Sequence, residues 1–512
     1  MEIELKLALD PAANDTLRRH PLLAEHADGG ARDAQLLARY FDTSDFYLRQ
    51  HGAGLRVRKV DGEWIQTMKA GGGVQAGLHA RNEWEGPVAR AWPNLNKLRK
   101  IIDGDGDGGA DWSSLLDAPG LAERLQAQFA VRVERTTWDL HVDGAAIEMV
   151  LDVGAVEHNS ASDPINEIEL ELKSGQPETL YRFALQLLED LPLRLENSNK
   201  AERGYALCSQ SGTSVHKADE LALDADGTLA DAMLAIFHNC LEHIQRNEAG
   251  VIHSDNAESV HQMRVGVRRL RSALKLFDTS APCPPELVQD IEWLGGELGG
   301  ARDWDVLSTS TLQRASQALA ASKQVMALQT LMLERVRAQR RLAVAAITSA
   351  RYTRLLLSLA AWLIESAAGS DALQQPVRGY ARATVKRKHQ KLLQRGARIA
   401  DANAELDAGA LHRTRIAGKQ ARYALEFFQS LYRSKRVRPY LAALSNLQDE
   451  LGRHNDLVVA DRLLEELEQE QPAQAGAIAF VRGYLLAQQG SDQPEVRKAW
   501  KAFQAQDVPG PS

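Results

Sequence analysis

Ionisable residues recur at every second position in separate segments of the first 173 residues, and few folds accommodate that pattern. In EIELKL, Glu2, Glu4 and Lys6 alternate with Ile and Leu, so on a strand the charges share one face and the apolar side chains the other. The same parity returns in Arg56 and Arg58, in Arg81, Glu83 and Glu85, in Glu148 and Asp152, and in Glu167, Glu169 and Glu171. The segments GLRVRKV, EWIQTMKA, IEMVLDVG and EIELELK read as further strands, separated by Gly- or Asp-rich turns. An alternating strand cannot bury both faces in an apolar core. Many such strands together predict a closed antiparallel β-barrel with a polar, ligand-holding interior. Like charges in its rows repel, so the interior calls for compensating ligands. Divalent cations would neutralise the carboxylates and a polyanion the arginines and lysines; a triphosphate with Mg²⁺ or Mn²⁺ meets both needs.

The period then changes. Leu207 to Asp226 is polar and lacks a clear period, and from about Thr228 to Phe503 the chain is rich in Ala, Leu, Gln and Arg with a 3.6-residue repeat. A length of 512 residues favours more than one core. The expected architecture is multidomain α+β: a β-barrel at 1–205, a linker at 206–222 and an all-α domain at 223–505. The helical half is internally duplicated. VHQMRVGVRRLRSALKLF at 260–277 matches LHRTRIAGKQARYALEFF at 411–428, and LGGELGGARDWDV at 294–306 matches LQDELGRHNDLVV at 447–459. His261, Arg264, Arg268, Arg271 and Lys275 follow helical steps along one face, the second copy keeps His412, Arg415, Lys419 and Arg422, and Arg382, Lys386 and His389 repeat the spacing. Such stripes weaken a helix unless an anion or acidic neighbour relieves them. Arg269 is replaced by Gln420 and Arg302 by Asn455, whereas Asp303 and Asp456 match and are expected to orient basic side chains.

Charge divides along the same boundary. Residues 1–210 hold 23 Lys and Arg against 34 Asp and Glu, and the remainder 38 against 34, so cations suit the front and an anionic partner the back. Three cysteines without metal-site spacing argue against a disulfide framework or a zinc centre. No apolar run approaches a membrane span, and the acidic start MEIELKLALD lacks signal-peptide features, so a cytoplasmic protein is expected. KAGGGVQAG lacks the ending of a phosphate loop. DGDGDGGAD at 103–111 lacks the closing Glu of a calcium loop and reads as a surface loop. Modest positive charge and the lack of a stacking motif in the helical half argue against nucleic acid.

The ExExK opening, YFDT at 40–43, LRVR at 55–58, TMKA at 67–70, RNEWE at 81–85, ERTTW at 134–138, EIELEL at 167–172 and SNKAERGY at 198–205 together resemble the CYTH superfamily of triphosphate tunnel metalloenzymes. The resemblance implies an eight-stranded antiparallel tunnel that holds a triphosphate end-on, with Mg²⁺ or Mn²⁺ as cofactor. By the same resemblance, Glu2, Glu4, Asp152, Glu169 and Glu171 bind metal, with Glu167 as their neighbour. Lys6, Arg56, Arg58, Lys69, Arg135 and Lys200 grip phosphate, and Arg81, Glu83 and Glu85 face them. Arg132 is close by, but the spacing to Trp138 favours Arg135. The helical half resembles the CHAD domain, a helical module implicated in binding polyphosphate, which implies that role for the twelve stripe residues. The implied whole is an inorganic triphosphatase acting on tripolyphosphate, with a domain that recruits polyphosphate. Thiamine triphosphatase, adenylate cyclase and a non-catalytic polyphosphate scaffold remain as alternatives.

Overall fold

The computed structural model describes residues 2–60, 62–75, 78–105, 110–209, 214–313, 323–401, 406–491 and 493–510. Residues 106–109 of the Asp-rich loop, 210–213 of the linker and 76–77 of KAGGGVQAG lie outside the described residues. The chain divides into two compact units, one of residues 1–212 with 348–364, the other of 213–347 with 365–512.

In the first unit eight long strands form one antiparallel sheet: β1 (Glu2–Leu9), β2 (Arg32–Asp42), β3 (Ala53–Val60), β4 (Glu63–Gln75), β5 (Leu78–Val88), β6 (Gln126–Val142), β7 (Ala145–His158) and β8 (Ala161–Ser174). Their order is β5-β4-β3-β2-β6-β7-β8-β1, and β1 also pairs with β5, which closes the ring. A ninth strand, β9 (Leu193–Leu195), pairs with the end of β1. Parity then does what the alternation demands. The apolar set faces outward: Leu5 and Leu7 are fully buried with Leu180, Phe183 and Leu187 of helix Glu178–Asp190, and Leu357, Ala360 and Ala361 join the same cluster. The charged set faces inward. Two helices bring further cations to the ring, α1 (Tyr47–Gln50) and α2 (Lys200–Ser209).

The second unit is helical among its described residues. Each repeat contributes a similar set: α3 (Leu229–Gln245), α4 (Ala257–Phe277) and α5 (Pro285–Val306), then α6 (Val377–Ala400), α7 (Ala408–Phe428) and α8 (Ser434–Glu470). A Thr228–Pro376 bridge joins the starts of α3 and α6. Thr228 also closes a reciprocal capping box with Asp231. Among the described residues no single helix is long and apolar enough to cross a membrane.

Candidate functional site

Strand register places the inward charges in rows. Glu4 of β1 lies opposite Glu171 of β8, which lies opposite Glu148 of β7. Three carboxylates directly opposite on three adjacent strands repel one another. Lys6 reaches Glu4 at 3.0 Å, and Lys173 reaches Glu171 at 2.7 Å and Glu148 at 3.4 Å. Burial, with Glu2 and Glu148 nearby, still raises the Glu171 carboxyl above its ordinary range.

A deeper cluster is held differently. Asp152, Glu167 and Glu169 present carboxylate oxygens within 4.8 Å of one another, close enough to share a metal ion. The Lys200 ammonium stands among them, 2.7 Å from Asp152, 2.5 Å from Glu167 and 2.9 Å from Glu169. Arg135 grips Asp152 through two hydrogen bonds of 2.7 and 2.6 Å, and Lys6 donates to Glu169. Burial alone would raise the two acids, but Lys200 and Arg135 hold Asp152 below its ordinary range, and Lys200, Lys6 and Arg135 hold Glu169 well below it. Burial would likewise lower Lys200, yet the three carboxylates raise it well above the usual ammonium value.

The upper part of the ring surrounds a cavity of about 520 Å³ lined by Glu2, Glu4, Lys6, Arg56, Arg58, Lys69, Arg81, Glu83, Glu85, Arg135, Glu169, Glu171 and Lys200. Asp152 is fully buried and does not line it. Arg132 is exposed and paired loosely with Glu157 at 3.9 Å. Along the cavity wall Arg56 and Lys69 meet Glu83 at 3.4 and 3.3 Å, Arg58 meets Glu85 at 3.3 Å, Arg81 meets Glu202 at 3.4 Å, and Lys69 also pairs with Glu2. The buried Nε atoms of Arg56 and Arg58 have no hydrogen-bond partner among the described residues. Guanidinium donors left over in this way suit phosphoryl oxygens.

In the helical unit a second cavity of about 790 Å³ gathers both repeats: His261, Arg264 and Arg268 of α4, Arg302 and Asp303 of α5, Arg415, Lys419 and Arg422 of α7, and Asp456 of α8. Asp303 holds Arg264 at 3.2 Å. Burial, then Arg268, Arg415 and Arg264, push Lys419 down to about 6, and burial with Arg302 nearby pushes His261 to about 4. The buried Nε atoms of Arg268 and Arg415 have no hydrogen-bond partner among the described residues.

Residues 1–205 match the CYTH domain family and residues 235–465 the CHAD domain family. This chain is a CYTH domain followed by a CHAD domain. Over 210 residues, 41% of its length, it is 31% identical to the inorganic triphosphatase of Haemophilus influenzae, and it spans 55% of that relative. The crystal structure of the CHAD domain from the plant Ricinus communis is 51% identical, covers 59% of this chain and all of its own, and superposes with a TM-score of 0.54.

Six of the twelve CHAD stripe residues line the cavity: His261, Arg264, Arg268, Arg415, Lys419 and Arg422. The other six do not: the stripe on α4 runs roughly 20 Å and outlasts the cavity at Arg271 and Lys275, while Arg382, Lys386 and His389 lie on α6 and His412 near the start of α7. Arg271 pairs with Glu292 at 2.7 Å, and Lys275, Arg382 and Lys386 are exposed. His412 contacts Asn455 at 3.3 Å, and His389 is buried against Tyr440 at 2.9 Å and Phe503. The CYTH domain also shows site residues that sequence reading passed over. Lys173, two residues on from Glu171 and so of the same inward parity, lines the cavity beside Glu148, whose parity the sequence already showed. Arg49 of α1 lines it too, its guanidinium 5.0 Å from the Tyr205 ring. Asp42 positions both helices: its buried carboxylate accepts from Leu48 N at 2.8 Å, Arg49 N at 3.0 Å and the Tyr205 hydroxyl at 2.7 Å. Its place in YFDT was the available signal, whereas a four-residue helix leaves no periodic trace of Arg49.

Proposed function

We propose that the CYTH domain is a divalent-metal-dependent inorganic triphosphatase, hydrolysing tripolyphosphate to pyrophosphate and phosphate, and that the CHAD domain binds polyphosphate. The observation that carries the first reading is the balance of the cavity wall: eight carboxylates and nine Lys or Arg side chains surround one space. A wall for polyanion binding alone would have little use for eight acids. Together with about two divalent cations, a triphosphate leaves every wall charge matched, because cations and carboxylates that now pair with each other can pair with phosphoryl oxygens and metal instead. The residues fit such an ion: Glu4, Glu171, Glu148 and Glu2 would hold it at the cavity, where Glu171 is under-compensated. When bound, a metal ion polarises phosphoryl oxygens and acidifies water. Arg56 and Arg58 offer unpartnered donors to the chain of phosphates, and Lys69 and Arg81 add charge along it. Lys6, Arg135 and Lys200 fix the deep carboxylates so that the wall keeps its shape as charge moves. The identity of the relative, an inorganic triphosphatase, supports this substrate among the family's triphosphates.

The expected result is phosphate release from tripolyphosphate that stops in EDTA and returns with Mg²⁺ or Mn²⁺. A colorimetric panel with tripolyphosphate, thiamine triphosphate, ATP and long polyphosphate measures it. Full turnover in EDTA ends the metal-dependent reading, and a preference for thiamine triphosphate or ATP moves the substrate.

For the CHAD domain, replacing Arg264 and Arg268 by Gln should weaken binding of long polyphosphate and lower the slope of log affinity against log salt by about 1.5, since each lost contact removes roughly 0.7 to 0.9. Wild-type binding should also tighten as pH falls from 8 to 6. Lys419, pushed down to about 6, is mostly neutral at the upper end and gains its proton toward the lower, while arginines do not titrate there. A titration across salt and pH checks both. Unchanged slope and flat pH dependence would mean that the cavity does not bind the chain.

A further inference from the structure

Four cations of the helical unit stand outside its cavity with no ion pair among the described residues: Lys275 near the end of α4, and Arg387, Lys388 and Lys391 on α6. Steps of three and four put Lys388 and Arg387 beside Lys391 on one side of α6. The last turn of α4 and the first turn of α6 meet where Phe277 and Tyr380 stack at 5.9 Å and the Tyr380 hydroxyl donates to Leu276 O. From the α7 side Lys388 Nζ donates to the neutral amide oxygen of Gln420, at 3.4 Å. Lys388 is half-buried; burial, then Lys391, Arg387 and Lys275, push its ammonium down to about 8.

The repeat shows that this arrangement is not obligatory. Arg269, which Gln420 replaces in the second copy, is buried in the first, donates to Asn239 Oδ1 at 2.7 Å and lies 5.3 Å from the Phe427 ring. There the cation sits on the second helix and the amide on the first. In the second copy the two have changed places, and the cation stands beside three others. Like charges gathered in this way, with no ion pair among the described residues, cost stability unless an anion joins them.

We propose that Lys275, Arg387, Lys388 and Lys391 form a second anion site, separate from the cavity, that takes a stretch of inorganic phosphate chain. Ammonium groups serve as point charges for phosphoryl oxygens without demanding a base. A nucleic acid would need a free aromatic face, and here Phe277, Tyr380 and Phe428 pack on one another. Lys275 lies seven residues beyond Arg268 on α4, roughly 10 Å along the axis, which a short run of linked phosphates spans. One long chain can therefore occupy cavity and second site together, which raises affinity without a new contact. The proposal extends the polyphosphate reading of the cavity and can fail separately from it.

The test uses the full chain in EDTA, titrated across a salt series with long polyphosphate and with single-stranded RNA of equal charge. K388Q/K391Q should bind polyphosphate about tenfold more weakly with a shallower salt slope, since two phosphate contacts go. K388R, which keeps the charge, should bind like the wild type, and circular dichroism checks that helices persist in each variant. R264Q/R268Q should keep a weak residual binding that the fourfold variant loses. Wild-type affinity and slope in K388Q/K391Q, with binding lost in R264Q/R268Q, would refute the second site and leave the cavity reading intact. Unchanged binding in every variant would overturn both. An equal loss for RNA and polyphosphate in K388Q/K391Q would overturn the inorganic chain as the ligand.

Discussion

Glu171→Gln should hydrolyse tripolyphosphate about 100-fold more slowly than the wild type and yet be no less stable. The two expectations come from one geometry. Glu171 is the middle carboxylate of the Glu4–Glu171–Glu148 row, so its amide isostere removes the oxygen charge that would hold a divalent cation while keeping shape and strand pairing. Its carboxyl is raised by burial and by its acidic neighbours, so folding disfavours its charged form. A carboxyl held above its unfolded value lowers stability once pH exceeds that value, about 4.3 for Glu, and has no such effect below it. The variant should therefore gain stability at pH 7 to 8 and match the wild type near pH 3. Raising the metal concentration should recover part of the rate. Steady-state kinetics across a Mg²⁺ series, with denaturant unfolding at both pH values, measures all three. Near wild-type turnover at low metal would place the ion elsewhere, and a loss of stability at pH 7.5 would mean that Glu171 is a structural ion-pair partner of Lys173.

The inward rows were legible because a strand converts sequence parity into side-chain direction without help from the rest of the fold. Glu2, Glu4, Lys6, Arg56, Arg58, Arg81, Glu83, Glu85, Glu169 and Glu171 line one cavity for that reason. Depth along the strands was not legible. Asp152 has the parity of Glu148 but sits two rows lower, opposite Glu167, where the ring is filled by Lys200 from a helix. Helical stripes carry less information still. The stripe on α4 is regular over 15 residues, yet where the cavity ends is decided by α7 and α8 of the other repeat. His389 shows the limit: its spacing from Arg382 and Lys386 matched a ligand stripe, and tertiary packing placed it against Tyr440 and Phe503.

Lys200→Ala should destabilise the CYTH domain by about 3–5 kcal/mol at pH 7.5, the cost of stranding buried charge by removing its partner. Lys200 is 8% exposed and is the one side chain that touches Asp152, Glu167 and Glu169 together among the described residues. Arg135 would still hold Asp152, and Lys6 would still hold Glu169. Glu167 would keep only Arg203, at 3.7 Å, and its Oε2 has no hydrogen-bond partner among the described residues. The pH dependence follows from the sign of the shifts. In the wild type, Asp152 and Glu169 are held below their ordinary values, so their contribution is fully present above about pH 4 and fades as pH falls through the depressed values. Without Lys200 the trio can relieve its repulsion by binding a proton, so the variant should recover stability as pH drops from 7.5 toward 5, where the wild type changes little. The gap between the two should narrow over that interval. Hydrogen exchange of β7 and β8 amides at pH 5 and 7.5 reads the local free energy without depending on how the helical unit unfolds. Adding Glu167→Gln to Lys200→Ala should restore much of the loss, because it removes the acid left with the fewest partners. A deficit that is equal at both pH values, or that Glu167→Gln deepens, would show that Lys200 acts through packing of its stem and not through its charge.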